Sequence, residues 1–277
     1  MNKTGIPYLD MTWNAFGFGC SKKCEGCWAK RMAPRIGKVI GCPRCAAFEP
    51  HFHPERLDEP LKRKKREVIG VQFTGDLFDR AHDRANIYRC VQTMQAAKWH
   101  QYVILTQQFK HLAELALPYA FLQRENIYWG VTIRNQAEAD EGIAALLASG
   151  AKNCWVSYEP AAGPVDFADY LPIWEYCYDD PVTGEICHYA NPTNCAGEYI
   201  EKIDDGPHIS AVIVGCDNRS KVPFKLQWAE RVVDDCQAAA IPVYVKQIRL
   251  SDGEPLLTDP ADFPEPLQIR QLPWRKE

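Results

Sequence analysis

The chain has 277 residues, a net charge of −4 and a hydrophobic fraction of 46%, which allows one large domain or two small ones and excludes avid, purely electrostatic binding to nucleic acid, while leaving a local basic groove open. No apolar run approaches the roughly 20 residues of a membrane span, and Met1 to Asp10 lacks the basic flank and apolar core of a secretion signal. Twelve cysteines in such a chain indicate a reducing compartment, here the cytoplasm, where clustered cysteines bind metal more often than they form disulfides.

The first predicted strand is Leu9 to Trp13. Directly after it comes Gly19-Cys-Ser-Lys-Lys-Cys-Glu-Gly-Cys-Trp28, which spaces Cys20, Cys24 and Cys27 as C-x3-C-x2-C. A closed structural zinc site takes four ligands, usually as two close pairs. Three thiolates without a local fourth suit an iron–sulfur cluster with one open iron. A zinc knuckle completed by a distant ligand is the other reading.

Residues 32–67 show no clear periodicity and read as a loop-rich insertion. They carry Cys42-Pro-Arg-Cys45, which has knuckle spacing but cannot close a metal site alone, and the basic run Lys62 to Arg66, a type of run that is usually a solvated face. Further strands are predicted at Val68 to Phe73, Tyr102 to Leu105, Ile127 to Ile133, Cys154 to Ser157, Ala211 to Val214 and Val243 to Val245. Helices are predicted at Asn86 to Ala97, Phe109 to Phe121, Gln136 to Ala148 and Leu226 to Ala239. Near-continuous apolar strands alternating with helices predict a parallel sheet covered by helices, either open or closed as a β/α barrel. A second loop-rich insertion, 172–208, carries Cys177, Cys187, His188 and Cys195. Cys187 and Cys195, with Cys177 or His188 in reserve, could complete a site with Cys42 and Cys45: a structural zinc joining the two insertions, or an auxiliary iron–sulfur cluster. Cys90, Cys154 and Cys236 fall in helix or strand patterns and read as core. The chain is thus one domain over 1–250 followed by a proline-rich extension, 251–277, expected to wrap the surface.

Polar residues recur where these strands end: Thr74-Gly75-Asp76, Thr106-Gln107-Gln108, Thr132 with Asn135, Ser157-Tyr158-Glu159, Gly215-Cys216-Asp217-Asn218 and Lys246-Gln247. Loops are polar in any protein, but ligands of α/β proteins gather at the carboxyl ends of the strands.

The cysteine spacing and its place after the first strand resemble the radical S-adenosylmethionine superfamily. Gly26 stands where that superfamily usually has an aromatic residue, and Trp28 follows the third cysteine. The chain also resembles a phage and bacterial family of radical-SAM-like proteins called three-Cys-motif partner proteins. The matching segments include Thr12-Trp13-Asn14, Cys27 to Arg31, His53 to Leu57, Gly75 to Phe78, Trp129 to Thr132, Glu159-Pro160, Val212 to Gly215 and Val245 to Gln247. The resemblance implies a partial (β/α)6-type barrel, with Cys20, Cys24 and Cys27 holding a 4Fe–4S cluster whose open iron chelates S-adenosylmethionine. It implies an electron donor such as flavodoxin or ferredoxin and a 5′-deoxyadenosyl radical that abstracts hydrogen from substrate. Its phage context makes a modified nucleobase or nucleotide of DNA the expected substrate, with isomerase, lyase or transferase chemistry.

Within that resemblance, Thr74, Gly75 and Asp76 align with the motif that meets the methionyl amino group; an ordinary turn with Asp76 as a helix cap is the plainer reading. Thr132 and Asn135 are candidates for ribose, and Ser157 and Glu159 for ribose or substrate. Lys246 could face a carboxylate or an anionic substrate, or be a surface lysine. Cys216 could donate hydrogen to a product radical, or be a small buried residue. The competing class is a non-catalytic zinc-binding interaction protein in which both cysteine clusters are structural.

Overall fold

The computed structural model describes residues 1–22, 24, 26–172, 174–179, 186–189, 199–202, 207–219 and 222–275, with the backbone alone inside 174–202. Eight strands form the main sheet: β1 (Asn2–Lys3), β2 (Met11–Trp13), β3 (Val68–Val71), β4 (Gln101–Thr106), β5 (Ile127–Ile133), β6 (Cys154–Tyr158), and, beyond three strands of a second sheet, β10 (Ile209–Gly215) and β11 (Val243–Gln247). β1 is antiparallel to β2, and every other neighbouring pair is parallel. The sheet is open, and its strands lie side by side in chain order. The expected parallel α/β architecture is therefore present, with strands at every predicted position.

Strand order without a reversal has a consequence. Crossovers of the usual right hand then put the covering helices on one face of the sheet. Alternation along the strands divides the core accordingly. Tyr102 and Ile104 of β4 join the large cluster that includes residues of the helices, while Val103 packs with Tyr8, Tyr128, Trp155, Ile213 and Tyr244 on the other face. The second cluster draws on strands across the width of the sheet, and Tyr8, just ahead of β2, meets Tyr244 of β11 edge-to-face with ring centroids 5.9 Å apart. The sheet curls enough to bring its two sides together through these side chains.

Seven helices accompany the strands among the described residues: α1 (Trp28–Val39), α2 (Pro43–Ala46), α3 (Arg84–Ala96), α4 (Phe109–Glu114), α5 (Tyr119–Leu122), α6 (Gln136–Ala148) and α7 (Leu226–Ala238). Three differences from the sequence reading have physical reasons. Helix α1 occupies part of the supposed loop insertion; its buried face is Ala29, Ala33 and Gly37, a stripe too small to register as apolar, and Pro34 lies inside it. The single helix expected over Phe109 to Phe121 is two, because Ala116 takes a positive φ of 47° and Pro118 disfavours helix at Leu117. The insertion 172–208 contains a three-stranded antiparallel sheet of β7 (Trp174–Asp179), β8 (Ile186–Tyr189) and β9 (Tyr199–Lys202), in the order β8-β7-β9; the alternating Trp174, Tyr176 and Tyr178 is its sequence signal.

The C-terminal extension does more than wrap the surface. It runs antiparallel beside β11, with the Val245 N–H donating to Ile269 O at 3.0 Å and the Gln271 N–H to Val243 O at 2.9 Å. Phe263, Leu267 and Trp274 are buried. No helix among the described residues is long and apolar enough to cross a membrane.

His100 ties the stretch ahead of β3 to the sheet. Its Nδ1 accepts the Glu67 N–H at 3.2 Å, so the proton resides on Nε2, which donates to Pro60 O at 3.1 Å. Burial holds its pKa below the ordinary value. The folded state therefore favours neutral imidazole, and the stability this contributes is present above the unfolded pKa of about 6.5 and is lost as pH falls below it. Urea denaturation of wild type and His100→Gln is expected to give a difference that shrinks between about pH 7.5 and 5.5; a difference that does not change with pH would contradict this assignment.

Candidate metal centres at the carboxyl ends of the strands

The loop after β2 is fixed by the strand beside it. The Phe16 N–H donates to Gln72 Oε1 at 2.9 Å, and Gly17 O accepts both Gln72 Nε2 at 2.9 Å and the Thr74 hydroxyl at 2.6 Å. Gly19 then bridges to Gly75 in parallel register. The two backbones are so close that a Cβ on Gly75 would lie 2.2 Å from Gly19 O, and one on Gly19 would lie 2.4 Å from the Glu49 backbone. Glycine is required at both positions by this approach.

Cys20, Cys24 and Cys27 follow, each half-buried and outside any disulfide. The Ser21 N–H donates to Asp79 Oδ2 at 2.6 Å. The Cys24 thiol points at Gln107 Oε1, 3.5 Å away at the end of β4. Cys27 caps α1, its sulfur accepting the Lys30 N–H at 3.5 Å. Burial raises the pKa of the Cys20 and Cys24 thiols. The three sulfurs are not grouped as ligands of a single ion. Thiolates on separate irons of a cluster stand farther apart than those on one ion, so single-ion spacing is not a requirement of that kind of site.

The other strand-end residues have definite partners. Thr74 and Gly75 tie down the cysteine loop as described. Asp76 is buried, and its carboxylate accepts the Thr106 hydroxyl at 2.8 Å, the Gln107 N–H at 2.8 Å and the Phe78 N–H at 3.0 Å. Burial pushes its pKa up to about 6 against the pull of these bonds. It latches β3 to β4, and the helix that follows is capped by Asp83. Thr132 and Ser157 sit opposite each other on β5 and β6. Asn135 caps α6, accepting the Glu138 N–H at 3.1 Å. Glu159 and Lys246 form an ion pair at 2.7 Å across β6 and β11. Cys216 is buried with its thiol pushed up to about 11 by that burial, and its backbone is held by Gln247. Two groups result: the cysteine loop with Thr74 to Asp76 and Gln107 over β3 and β4, and Ser157, Glu159, Lys246 and Cys216 over β6, β10 and β11.

The second metal centre is a four-residue cluster. Cys42, Cys45, His51 and His53 bring one ligand atom each within 4.8 Å of one another, the one such group of three or more among the described residues. This arrangement could bind a metal ion such as zinc. Cys42 and Cys45 were legible from their spacing; His51 and His53 were missed, although Cys-x2-Cys-x5-His-x-His stands in the sequence. Cys195 and the side chains of Cys177, Cys187 and His188 lie outside the described residues.

The fold and these sites define an α/β protein with a Cys–His metal-capable cluster beside a three-cysteine loop. Residues 3–252 match the family described as "Protein of unknown function (DUF5131)", and the chain belongs to that family. No curated protein and no solved structure matches it.

Proposed function

We propose that the chain is a radical S-adenosylmethionine enzyme, with Cys20, Cys24 and Cys27 holding a 4Fe–4S cluster at the mouth of a partial β/α barrel. The observation that carries this reading is the cysteine loop itself: three free, half-buried thiols directly after β2, at the carboxyl end of a curled parallel sheet in chain order. The thiol donor set fits the cluster, and three donors leave one iron for a ligand. When bound, the cluster supplies the electron that cleaves the sulfonium and starts hydrogen abstraction. The chain's own part is to hold and orient. Gln72 and Thr74 fix the loop through Gly17 O, and Asp79 fixes it through the Ser21 N–H. Thr132, Ser157 and the Glu159–Lys246 pair offer polar contacts for a ribose or an anionic group. A modified nucleobase or nucleotide of DNA as substrate, a flavodoxin- or ferredoxin-type electron donor and a cytoplasmic setting are carried by the resemblance alone.

A second reading is a zinc-binding interaction protein without catalysis. The cluster of Cys42, Cys45, His51 and His53 favours it, because only that group has single-ion spacing among the described residues. Anaerobic reconstitution with iron and sulfide separates the two. The expected result is a brown protein with about four irons per chain that forms 5′-deoxyadenosine from S-adenosylmethionine under reduction. A colourless protein that holds zinc alone would establish the second reading.

A further inference from the structure

We infer that Cys42, Cys45, His51 and His53 bind one zinc ion, and that this ion clamps both ends of the three-cysteine loop. All four ligands come from residues 42–53, so the set closes without help from elsewhere in the chain. Cys42 Sγ lies 3.2 Å from His51 Nε2, and Cys45 Sγ lies 3.3 Å from His53 Nε2 and 3.7 Å from His51 Nε2. Bonds of about 2.3 Å to sulfur and 2.0 Å to nitrogen place sulfur and nitrogen about 3.5 Å apart on a tetrahedron, inside that range. Two thiolates and two neutral imidazoles also balance the charge of a divalent ion.

The surroundings of the ligands point the same way. His51 Nδ1 is engaged by Glu49 O at 2.8 Å and His53 Nδ1 by the Glu55 carboxylate at 2.7 Å, which leaves both Nε2 atoms free for the ion. The sulfurs accept backbone N–H groups, Cys42 from Cys45 and Cys45 from Phe18, both at 3.4 Å. Cys42 caps the short helix α2 with Pro43 in its first turn, which prearranges the pair.

The same atoms bear on the cysteine loop. Gly17, at φ +61°, packs its backbone directly on the ligands; a Cβ there would lie 2.7 Å from His53 Nε2 and 2.8 Å from Cys45 Sγ. Phe18 is bonded to Cys45, the His53 N–H donates to Ala15 O at 2.7 Å, and Gly19 rests on the Glu49–Pro50 backbone. On the far side Gly37 of α1, the helix capped by Cys27, abuts Ala46, where a Cβ would come within 2.2 Å of the backbone nitrogen. The segment 42–53 thus holds the chain both before Cys20 and after Cys27, whether or not those cysteines carry a cluster.

The test uses the full chain purified without added iron. Elemental analysis is expected to give about one zinc per chain, unchanged in Cys24→Ser. Cobalt added to the chelator-stripped protein should produce the visible d–d and sulfur-to-cobalt bands of a tetrahedral thiolate site. Glu55→Ala touches an exposed side chain and should leave the fold intact while weakening zinc about 10- to 100-fold. Hydrogen exchange at residues 16–20 and in α1 should rise on stripping and recover with zinc, while β4 to β6 stay protected. Purified wild type without zinc, together with stripped protein that gives no thiolate–cobalt band, would overturn the site. Iron in place of zinc in the Cys24→Ser chain would overturn the metal's identity. Unchanged exchange at 16–20 would overturn the clamp.

Discussion

Under the proposed function and metal site, Cys24→Ser is expected to lose reductive cleavage of S-adenosylmethionine to the rate seen without protein, and to retain its zinc and its fold. Among the three loop cysteines it is the one whose loss is easiest to interpret. Cys27 caps α1, and serine would cap it as well or better, so that change mixes two effects. Cys20 lies next to Ser21, whose N–H is fixed by Asp79. Cys24 is half-buried, and among the described residues its thiol bonds to a glutamine side chain at 3.5 Å. A serine there removes a soft thiolate ligand while leaving an oxygen to meet Gln107 Oε1, and iron–sulfur clusters depend on the thiolate. Iron and sulfide assays after anaerobic reconstitution, with chromatographic detection of 5′-deoxyadenosine, check it. A variant that binds iron and cleaves the cofactor as wild type does would sink the assignment of this loop as the cluster site.

The sheet was readable because its strands are buried on both faces and therefore appear as short apolar runs, as at Val68 to Val71 and Val212 to Val214. Helix α1 was not, because it buries alanine and glycine rather than large apolar residues, and a pattern search weights size. The candidate sites divide in the same way. Cysteines stand out by rarity and spacing, so Cys20, Cys24, Cys27, Cys42 and Cys45 were visible. His51 and His53 were hidden by their setting among prolines in a stretch without periodicity, although the x5 and x1 gaps close a four-ligand set. Asp76 shows the opposite limit. Its position at a strand end marks it as interesting, but only the structure reveals that Thr106, Gln107 and Phe78 already occupy its carboxylate. Phe78 is a local partner, but Thr106 and Gln107 lie 30 and 31 residues away and leave no local trace.

Trp274→Ala is expected to destabilise the protein by about 3–5 kcal/mol, the range for emptying a large aromatic site in a core. The residue lies close to the C-terminus, yet it is only 2% exposed. Its ring meets Tyr128 and Trp155 edge-to-face with centroids 5.0 and 5.4 Å away, and its indole N–H donates to Tyr8 O at 3.3 Å. Tyr8 in turn meets Tyr244 of β11, so Trp274 sits where the two sides of the curled sheet approach. Alanine would leave a cavity against strands fixed by parallel hydrogen bonds, with little freedom to collapse. Trp274→Phe keeps most of the volume and loses the indole hydrogen bond, so its cost should be nearer 1 kcal/mol. Urea denaturation of the three proteins measures both steps. A tail that merely lay on the surface would change stability by no more than about 0.5 kcal/mol in either variant. Equal small effects would therefore remove Trp274 from the core.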